Sequence, residues 1–388
     1  MRRSTLFAAA LLAGALLSTT TPVMAQQGAV MPSTLHPYRV TTVAEGLVNP
    51  WGMAFLPNGD LLVTERPGRL RLIRKGVLLP TPVEGAPAVV ARGQGGLLDI
   101  TLHPQFASNR FLYLSFSKPI GENNAATTAI VRAKFENDKL SDVREIFVAE
   151  SRGAPGHFGS RFAWGQDGML YFSVGDRQVP PTGNLEAHPA QDVSNHHGTI
   201  NRIRDDGTIP TDNPFAGQAG KQGSIWSYGH RNPQGLTFDT DGNLWSTEHG
   251  PQGGDELNLI EKGKNYGWPV IGFGVNYRTG SVIHQSTLRE GMEQPRHVWV
   301  PSIGVSGLMV YRGNAFPNWR GNIFAGGLVG EQLARFDRKG TQVTLGDVLV
   351  RSRGRIRDVR EGPDGFVYIA TENRDGSPSA ILRLEPAR

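Results

Sequence analysis

The sequence of 388 residues contains no cysteine. Without a thiol, the protein can form no disulfide, no thiolate-bound zinc or iron–sulfur site, and no cysteine nucleophile. The excess of positive over negative charge is also small. The chain has 40 Lys and Arg and 35 Asp and Glu, which gives a formal net charge of +5. No Lys/Arg run is interleaved with aromatic residues. A nucleic-acid partner is therefore not expected.

Long hydrophobic runs are lacking too, apart from one near the N-terminus. Residues 6–17 are apolar, follow an arginine pair, and precede the small-residue sequence Val23-Met24-Ala25. This order is typical of a secretory signal peptide, and the run is shorter than the about 20 residues that span a bilayer. We predict a signal peptide at residues 1–25, export of a monomer to the periplasm, and no integral membrane segment.

Glycine is abundant, with 49 residues, and much of it lies in turns between short apolar segments. Asn-Gly and Asp-Gly favour the positive φ angles of tight hairpin turns. Six units of strand, turn and strand recur at intervals of 43 to 80 residues. Their turns are at Asn58-Gly59, Asn109-Arg110, Asp167-Gly168, Asp241-Gly242, Gly321-Asn322 and Asp364-Gly365.

Repeated β units of this kind predict a propeller. We expect residues 26–388 to form one all-β catalytic domain, a six-bladed β-propeller with four-stranded antiparallel blades. The alternative is a β-sandwich in which the hairpins recur by coincidence. The longer intervals must contain loops, and loops on a rigid scaffold usually carry function.

Three glycine-rich loops combine charged residues with histidine. They are the segments 153–159, 229–235 and 248–256. Carboxylates and backbone carbonyls in Gly/Pro turns suit a hard cation such as Ca²⁺, although such segments also occur as plain tight turns. His157 lies between glycines, and Asp176 follows 19 residues later, so the two permit a His–carboxylate pair suited to a general base.

Arginine supplies candidate anion-binding groups. Arg231 lies in the second loop, while Arg355 and Arg357 alternate on one predicted strand and so point to the same face. A guanidinium pairs bidentately with carboxylates, but these residues also suit a solvated edge. The seven tryptophans, Trp268 among them, are expected to pack between blades.

Six motifs in order resemble the soluble aldose sugar dehydrogenases that use pyrroloquinoline quinone (PQQ), relatives of the soluble quinoprotein glucose dehydrogenase. The resemblance runs from about residue 46 to residue 384. The motifs are Gly93-Gln94-Gly95-Gly96-Leu97-Leu98, His157, Gly229-His230-Arg231-Asn232-Pro233-Gln234-Gly235, Gly250-Pro251-Gln252-Gly253-Gly254-Asp255-Glu256, Asn265-Tyr266-Gly267-Trp268-Pro269 and Arg355-Ile356-Arg357-Asp358.

The resemblance implies a six-bladed propeller that oxidises the anomeric C1 hydroxyl of aldoses to a lactone and passes electrons to an external acceptor. It implies His157 as base, Asp176 as its support and Arg231 as stabiliser of the reduced cofactor. It also implies Ca²⁺ at the carbonyls of Gly250 and Pro251, and a second Ca²⁺ near Glu256 and Tyr266. The implied PQQ contacts are Gln94, Arg231, Asn232, Tyr277, Gly327, Leu328, Val329, Arg355, Ile356 and Arg357.

Two positions depart from the family pattern. In the pattern of the glucose-specific relatives that this chain resembles, an acidic residue comes just before the base. This chain has Gly156 there, which favours a wider range of aldoses. A segment that resembles one ending in a quinone-contacting lysine ends here in Val329. A cation is then missing, unless Arg335 reaches in to compensate.

Two other functions remain open at this stage. A six-bladed lactonase would bind one divalent metal through Glu, Asn and Asp side chains in the central channel and would need no arginine clamp. A non-catalytic propeller that binds a sugar or a partner would not need His157. Fold alone does not separate these functions.

Overall fold

Six four-stranded antiparallel sheets make up nearly all of the regular structure. The computed structural model describes residues 29–121, 123 and 125–387, so the predicted signal peptide at residues 1–25 lies outside the described residues. Each sheet joins strands that are consecutive in sequence, except that the first strand completes the last sheet. This arrangement confirms the predicted six-bladed propeller.

The blades follow one another along the chain. Blade 1 contains β2 (Pro50–Phe55), β3 (Leu61–Glu65), β4 (Arg69–Arg74) and β5 (Val77–Leu78); blade 2 contains β6 (Leu97–Leu102), β7 (Phe111–Pro119), β8 (Ala126–Glu136) and β9 (Lys139–Val148); blade 3 contains β10 (Phe162–Trp164), β11 (Leu170–Val174), β12 (Thr199–Ile203) and β13 (Ile225–Tyr228).

The second half repeats this order. Blade 4 contains β14 (Pro233–Phe238), β15 (Leu244–Glu248), β16 (Asp255–Ile260) and β17 (His297–Trp299); blade 5 contains β18 (Val305–Val310), β19 (Ile323–Gly327), β20 (Gln332–Lys339) and β21 (Gln342–Leu349); blade 6 contains β22 (Arg355–Glu361), β23 (Val367–Glu372), β24 (Ser379–Pro386) and, from the N-terminal end, β1 (Tyr38–Leu47).

Helical structure is confined to short pieces in the described chain. The helix α1 (Phe106–Asn109) connects β6 and β7, and single 3-10 turns cover Leu185–Ala187, Pro189–Gln191 and Pro317–Trp319. Within the same residues, none of the helices has the length and apolarity needed to cross a bilayer.

The ring closes where β1 pairs with β24. Tyr38 lies opposite Pro386, and Leu47 lies opposite Ser379 at the other end of the ladder. β1 thus supplies the fourth, outer strand of blade 6, and the circular arrangement is held by backbone hydrogen bonds between the two ends of the described chain.

The predicted hairpin turns lie between the first and second strands of each blade. Gly59 and Gly168 have φ angles of +85° and +75°, and a Cβ on either would meet no other atom within 4 Å. Conformation rather than space therefore requires glycine at these turns, as the sequence pattern indicates.

The propeller axis is filled by a buried ion cluster. Arg161 Nη1 contacts Asp99 Oδ1 at 3.1 Å and Asp358 Oδ1 at 2.9 Å, and its guanidinium lies 4.1 Å from the ring centre of Trp51. Arg360 binds the same two carboxylates, each at 2.9 Å. Arg161, Asp99 and Asp358 are buried on the first strands, or next to them, in three different blades.

The neighbouring first strands make room for this cluster. A Cβ on Gly52 would come within 2.6 Å of Asp99 Oδ1, and a Cβ on Gly307 within 2.6 Å of Asp358 Oδ1. Charged side chains and glycines therefore share the narrow axis, and the charges are paired as buried ions must be.

We expect Arg161→Leu to destabilise the fold by about 3–5 kcal/mol, because it removes the fully buried one of the two guanidinium groups that neutralise Asp99 and Asp358. Chemical denaturation measures the change. The matched control is Arg144→Leu, which removes a guanidinium whose side chain is 65% exposed and pairs with Asp142; about 1 kcal/mol or less is expected there. Equal losses in the two variants would contradict a central role for the ion cluster.

Candidate functional site

A cavity of about 500 Å³ opens at the end of the propeller where the first strands begin. Its walls combine arginines and amides with a few apolar side chains. The lining residues are Asn49, Trp51, Arg66, Gln94, Leu98, Phe158, Gly159, Gln234, His249, Leu328, Val329, Arg355, Arg357, Glu372, Asn373 and Arg374. Five of the residues that the resemblance assigned to the cofactor are in this set: Gln94, Leu328, Val329, Arg355 and Arg357.

His157 lies beside this cavity in a hydrogen-bonded relay. Its Nδ1 is 2.6 Å from Asp176 Oδ1, and Trp268 Nε1 donates to Asp176 Oδ2 at 2.8 Å. His157 and Asp176 are 5% and 1% exposed. Because Nδ1 is held by the carboxylate, Nε2 is the ring nitrogen left to exchange a proton with a substrate.

The loop that carries His157 is held by backbone contacts. His157 has φ of +48°, an uncommon conformation for a non-glycine residue, and its N–H donates to Gln94 Oε1 at 2.8 Å. The buried Arg177 donates to the carbonyls of Gly156 and Ala154 at 3.0 and 2.7 Å, and its guanidinium lies 3.9 Å from the ring centre of Phe158. These contacts fix where the imidazole points.

Burial is the main influence on the protonation of His157. Burial lowers the pKa of His157 below 6.5, Asp176 opposes this, and Arg231 lowers the pKa further. Burial would raise the pKa of Asp176, but His157 and Arg231 outweigh it and lower that pKa. The pair thus holds a neutral imidazole against a carboxylate, the state from which a base accepts a proton.

Arg231 lies between the His157–Asp176 pair and the loop that follows β15. Its Nη1 donates to the carbonyl oxygens of Gly250 at 2.7 Å and His249 at 3.2 Å, and its guanidinium lies 5.2 Å from the ring centre of Trp268. Its own N–H donates to Glu248 Oε2 at 2.8 Å. The side chain therefore joins the base region to the Gly250 segment.

Arg355 and Arg357 lie on one wall, as the alternation along β22 predicted. Arg355 Nε donates to Glu372 Oε1 at 2.9 Å, and Arg357 Nη2 donates to the same oxygen at 3.1 Å. Burial opposes ionisation of Glu372, but the two arginines lower its pKa to about 2. One carboxylate therefore orients two guanidinium groups toward the cavity.

Several assigned residues lie outside the cavity wall. Asn232 is buried, and its Oδ1 accepts from Gly159 N at 3.2 Å, so it supports the wall from behind. Ile356 packs in the core of blades 5 and 6, and Gly327 lies in the buried strand β19. Tyr277 is 59% exposed and is not among the lining residues.

The suggestion that Arg335 compensates for Val329 is wrong. Arg335 is fully buried on β20, where it forms ion pairs with Asp337 at 2.6 Å and Asp347 at 2.8 Å. Both partners keep its guanidinium within blade 5, away from the cavity. Two arginines that the sequence analysis did not assign, Arg66 and Arg374, line the cavity instead.

The two carbonyls that the resemblance assigned to calcium have different hydrogen-bond partners. Gly250 O accepts from Arg231 at 2.7 Å, and Pro251 O accepts from Ser302 Oγ at 3.4 Å. Both residues line a second, smaller cavity next to the first. Among the described residues, no group of three or more His, Asp and Glu side chains is arranged to hold a metal, so a cation at this place would depend on carbonyl oxygens.

Buried carboxylates face the same small cavity. Burial and the nearby Glu248 raise the pKa of Glu256 well above its usual range, and Asn258 Nδ2 donates to both carboxylates. Asn258 Oδ1 is buried without a hydrogen-bond partner among the described residues. Two desolvated acids beside an unpaired amide oxygen are a donor set that suits a hard cation.

Tyr266 also lines the small cavity, but its hydroxyl is already engaged. The phenol oxygen donates to Leu259 O at 2.5 Å and accepts from Glu261 N at 2.9 Å, while the ring stacks on His230 at 4.4 Å. A contribution of Tyr266 to a metal site therefore depends on its backbone carbonyl.

Three functional neighbours were missed by sequence reasoning. Trp268 was assigned to blade packing but donates to Asp176, Arg177 holds the loop of His157, and His249 lines both cavities with a buried, unpartnered Nε2. The Trp268 and His249 motifs were visible in the sequence. The contact of Trp268 with Asp176 joins two blades, so the spacing of residues along the sequence could not indicate it.

Comparisons with known proteins agree with this geometry. The family model described as Glucose / Sorbosone dehydrogenase matches residues 47–383. The aldose sugar dehydrogenase YliI of Escherichia coli is 39% identical over 363 residues, which cover 92% of this chain and 94% of that protein.

Solved structures give the same result. The PQQ-bound aldose sugar dehydrogenase from Streptomyces coelicolor matches with a TM-score of 0.72 and 30% identity, over 91% of this chain and 99% of that one. A crystal structure of a glucose dehydrogenase matches with a TM-score of 0.84 and 41% identity, over 90% and 99% of the two chains.

We expect the imidazole of His157 to titrate below pH 6.5 and Asp176→Asn to lower its pKa further, because the carboxylate is the main group that raises it. An NMR titration of the histidine ring protons measures both values, with His157→Gln used for assignment. His103, which faces Asp205 instead, serves as the control and keeps its pKa. An unchanged or raised pKa of His157 in Asp176→Asn would show that the pair is not coupled.

Proposed function

Because the chain belongs to the Glucose / Sorbosone dehydrogenase family, we propose that it is a PQQ-dependent dehydrogenase that oxidises the C1 hydroxyl of aldose sugars to a lactone. The observation that carries this proposal is the position of His157, held by Asp176 beside a cavity lined with arginines. A base and an anion-binding wall are what a sugar hydroxyl and a tricarboxylate cofactor require.

The residues present fit PQQ. The cofactor carries three carboxylates, and Arg355 and Arg357 present guanidinium groups on one wall while Gln94 contributes an amide. The chemistry that PQQ would supply when bound is that of an ortho-quinone, a two-electron oxidant for C1. Arg231, on the side of the base, would stabilise the negative charge that develops on the reduced cofactor.

The chain's own part in the reaction is proton transfer. Nε2 of His157 would accept the proton of the C1 hydroxyl, and the Asp176 carboxylate would stabilise the imidazolium that forms. Trp268 and the Gln178 N–H, both donors to Asp176 at 2.8 Å, hold that carboxylate in place. Electrons would then leave to an external acceptor.

Calcium is proposed at the carbonyls of Gly250 and Pro251, with a second ion near Glu256. At the first site the cation would act as a Lewis acid beside the cofactor. Support comes from the Gly250 carbonyl, which accepts from the cationic Arg231, and from the unpaired Asn258 Oδ1 beside two buried acids.

A broad range of aldoses is proposed on the basis of Gly156. A Cβ at this position would lie 2.4 Å from the amide carbon of Gln178, so the space for an acidic side chain beside the base is filled by a neutral amide. The enzyme is proposed to work as an exported, periplasmic monomer, with residues 1–25 as its signal peptide.

We expect His157→Gln to lower kcat by about 10²–10⁴ while PQQ still binds, since loss of a general base typically costs this much. Dye reduction with PQQ, Ca²⁺ and a panel of aldoses measures the rate, and fluorescence quenching measures binding. His297→Gln is the control, because that ring makes edge-to-face contacts with Trp299 and Phe336 in blades 4 and 5. More than half of the wild-type kcat in His157→Gln would remove this residue from the mechanism.

Chelation with EGTA is expected to inactivate the enzyme and lower its Tm, because a ligand that binds only the folded state stabilises it. Adding Ca²⁺ back should restore both properties. Glu256→Gln should reduce the Tm response to Ca²⁺, whereas Glu261→Gln, at an exposed position, should not. Full dye reduction by metal-free protein at an unchanged Tm would overturn the calcium assignment.

A further inference from the structure

One corner of the large cavity has no role in the function proposed above. Asn49, Arg66, Asn373 and Arg374 line the cavity together with Arg355 and Arg357, and Arg66 N donates to Asn49 O at 3.1 Å. Arg66 follows strand β3, so it comes from blade 1 rather than from blade 6, which carries the other arginines. The corner therefore adds positive charge from a second direction.

Arg66 has donors to spare. Its Nη1 donates to the carbonyl of Gly93 at 2.8 Å, next to the lining residue Gln94, and its Nε is buried without a hydrogen-bond partner among the described residues. Arg355 and Arg357 differ in this respect because both bind Glu372. A buried donor on a charged group is costly unless an acceptor reaches it, and Arg66 is one of the residues that line the cavity.

The electrostatics of the corner favour an anion. Burial lowers the pKa of Arg66, and the neighbouring Arg357 and Arg355 lower it further. Four arginines line the cavity, whereas Glu372 is its one acidic lining residue. Val329, also on the wall, is 58% exposed and contributes no charge. The repulsion among the guanidinium groups would be relieved by carboxylates of a ligand.

We propose that Arg66, with Arg374 at the rim, is a carboxylate-binding subsite that takes one carboxylate of PQQ. This rests on the proposed function. Arg66 lines the same cavity as Arg355 and Arg357, the two arginines that Glu372 holds on one wall. The subsite would therefore add a third guanidinium to the groups that face the cofactor carboxylates.

The test is an equilibrium titration of the apo-protein with PQQ, followed by tryptophan fluorescence. Arg66→Gln is expected to raise the Kd by about tenfold or more, the range of a charge-assisted hydrogen bond. Arg66→Lys keeps the charge and should lose less. Arg320→Gln is the matched control, because this exposed arginine lies in the β18–β19 connection at the opposite end of the propeller, and it should leave the Kd unchanged.

A second variant separates lost charge from a folding defect. Val329→Lys introduces a cation on the same cavity wall, so adding it to Arg66→Gln should recover most of the lost affinity. In the wild-type background the same substitution should lower the Kd by a smaller factor than it does in Arg66→Gln. A misfolded cavity would not be rescued by a lysine, and the Tm of each variant is measured in parallel.

The outcomes distinguish this inference from the proposed function. If the wild type binds PQQ and Arg66→Gln binds within twofold of it, the subsite is overturned and the proposed function stands. If Arg66→Gln binds weakly and Val329→Lys does not rescue it, Arg66 acts by shaping the wall and the subsite is overturned as well. If the wild type does not bind PQQ, the proposed function fails and the subsite fails with it.

Discussion

The contact of Arg161 with two carboxylates on the propeller axis is the constraint on which the site depends. Six first strands converge there, and the axis is too narrow for six large side chains, as the close approach of Gly52 to Asp99 shows. Arg161 also donates to Gln234 O at 2.8 Å and to Arg357 O at 3.4 Å, both from residues that line the cavity. The same guanidinium therefore ties together blades 2, 3, 4 and 6 and sets the floor of the cavity.

The base His157 and the arginines of the cavity wall are held by different buried carboxylates. The carboxylate that supports His157 is fully committed, because Asp176 accepts from His157, Trp268 and Gln178 N. Glu372 has the corresponding role for two arginines. Each buried acid thus orients particular donors, and neither is left to repel an anionic ligand without compensation.

The loop after β15 connects these two regions to a third. The carbonyls of His249 and Gly250 accept from Arg231, and Gly250 N donates to Asp255 Oδ1 at 3.0 Å. The loop can turn this tightly because a Cβ on Gly250 would lie 2.2 Å from Gly254 O. Glycine at this position therefore allows carbonyl oxygens, rather than side chains, to face the site.

The sequence by itself determined the repeating hairpins, because alternating apolar residues and Asn-Gly or Asp-Gly turns act locally, within one blade. It also determined that His157 and Asp176 could pair, since they flank one hairpin, and that Arg355 and Arg357 share a face, since they alternate along one strand. The hydrogen bond of Trp268 to Asp176, the position of Arg66 at the cavity and the position of Arg335 within blade 5 were decided only by the tertiary structure. Their partners belong to other blades or other strands, and the distances between such groups are set by how the ring closes and not by spacing along the chain.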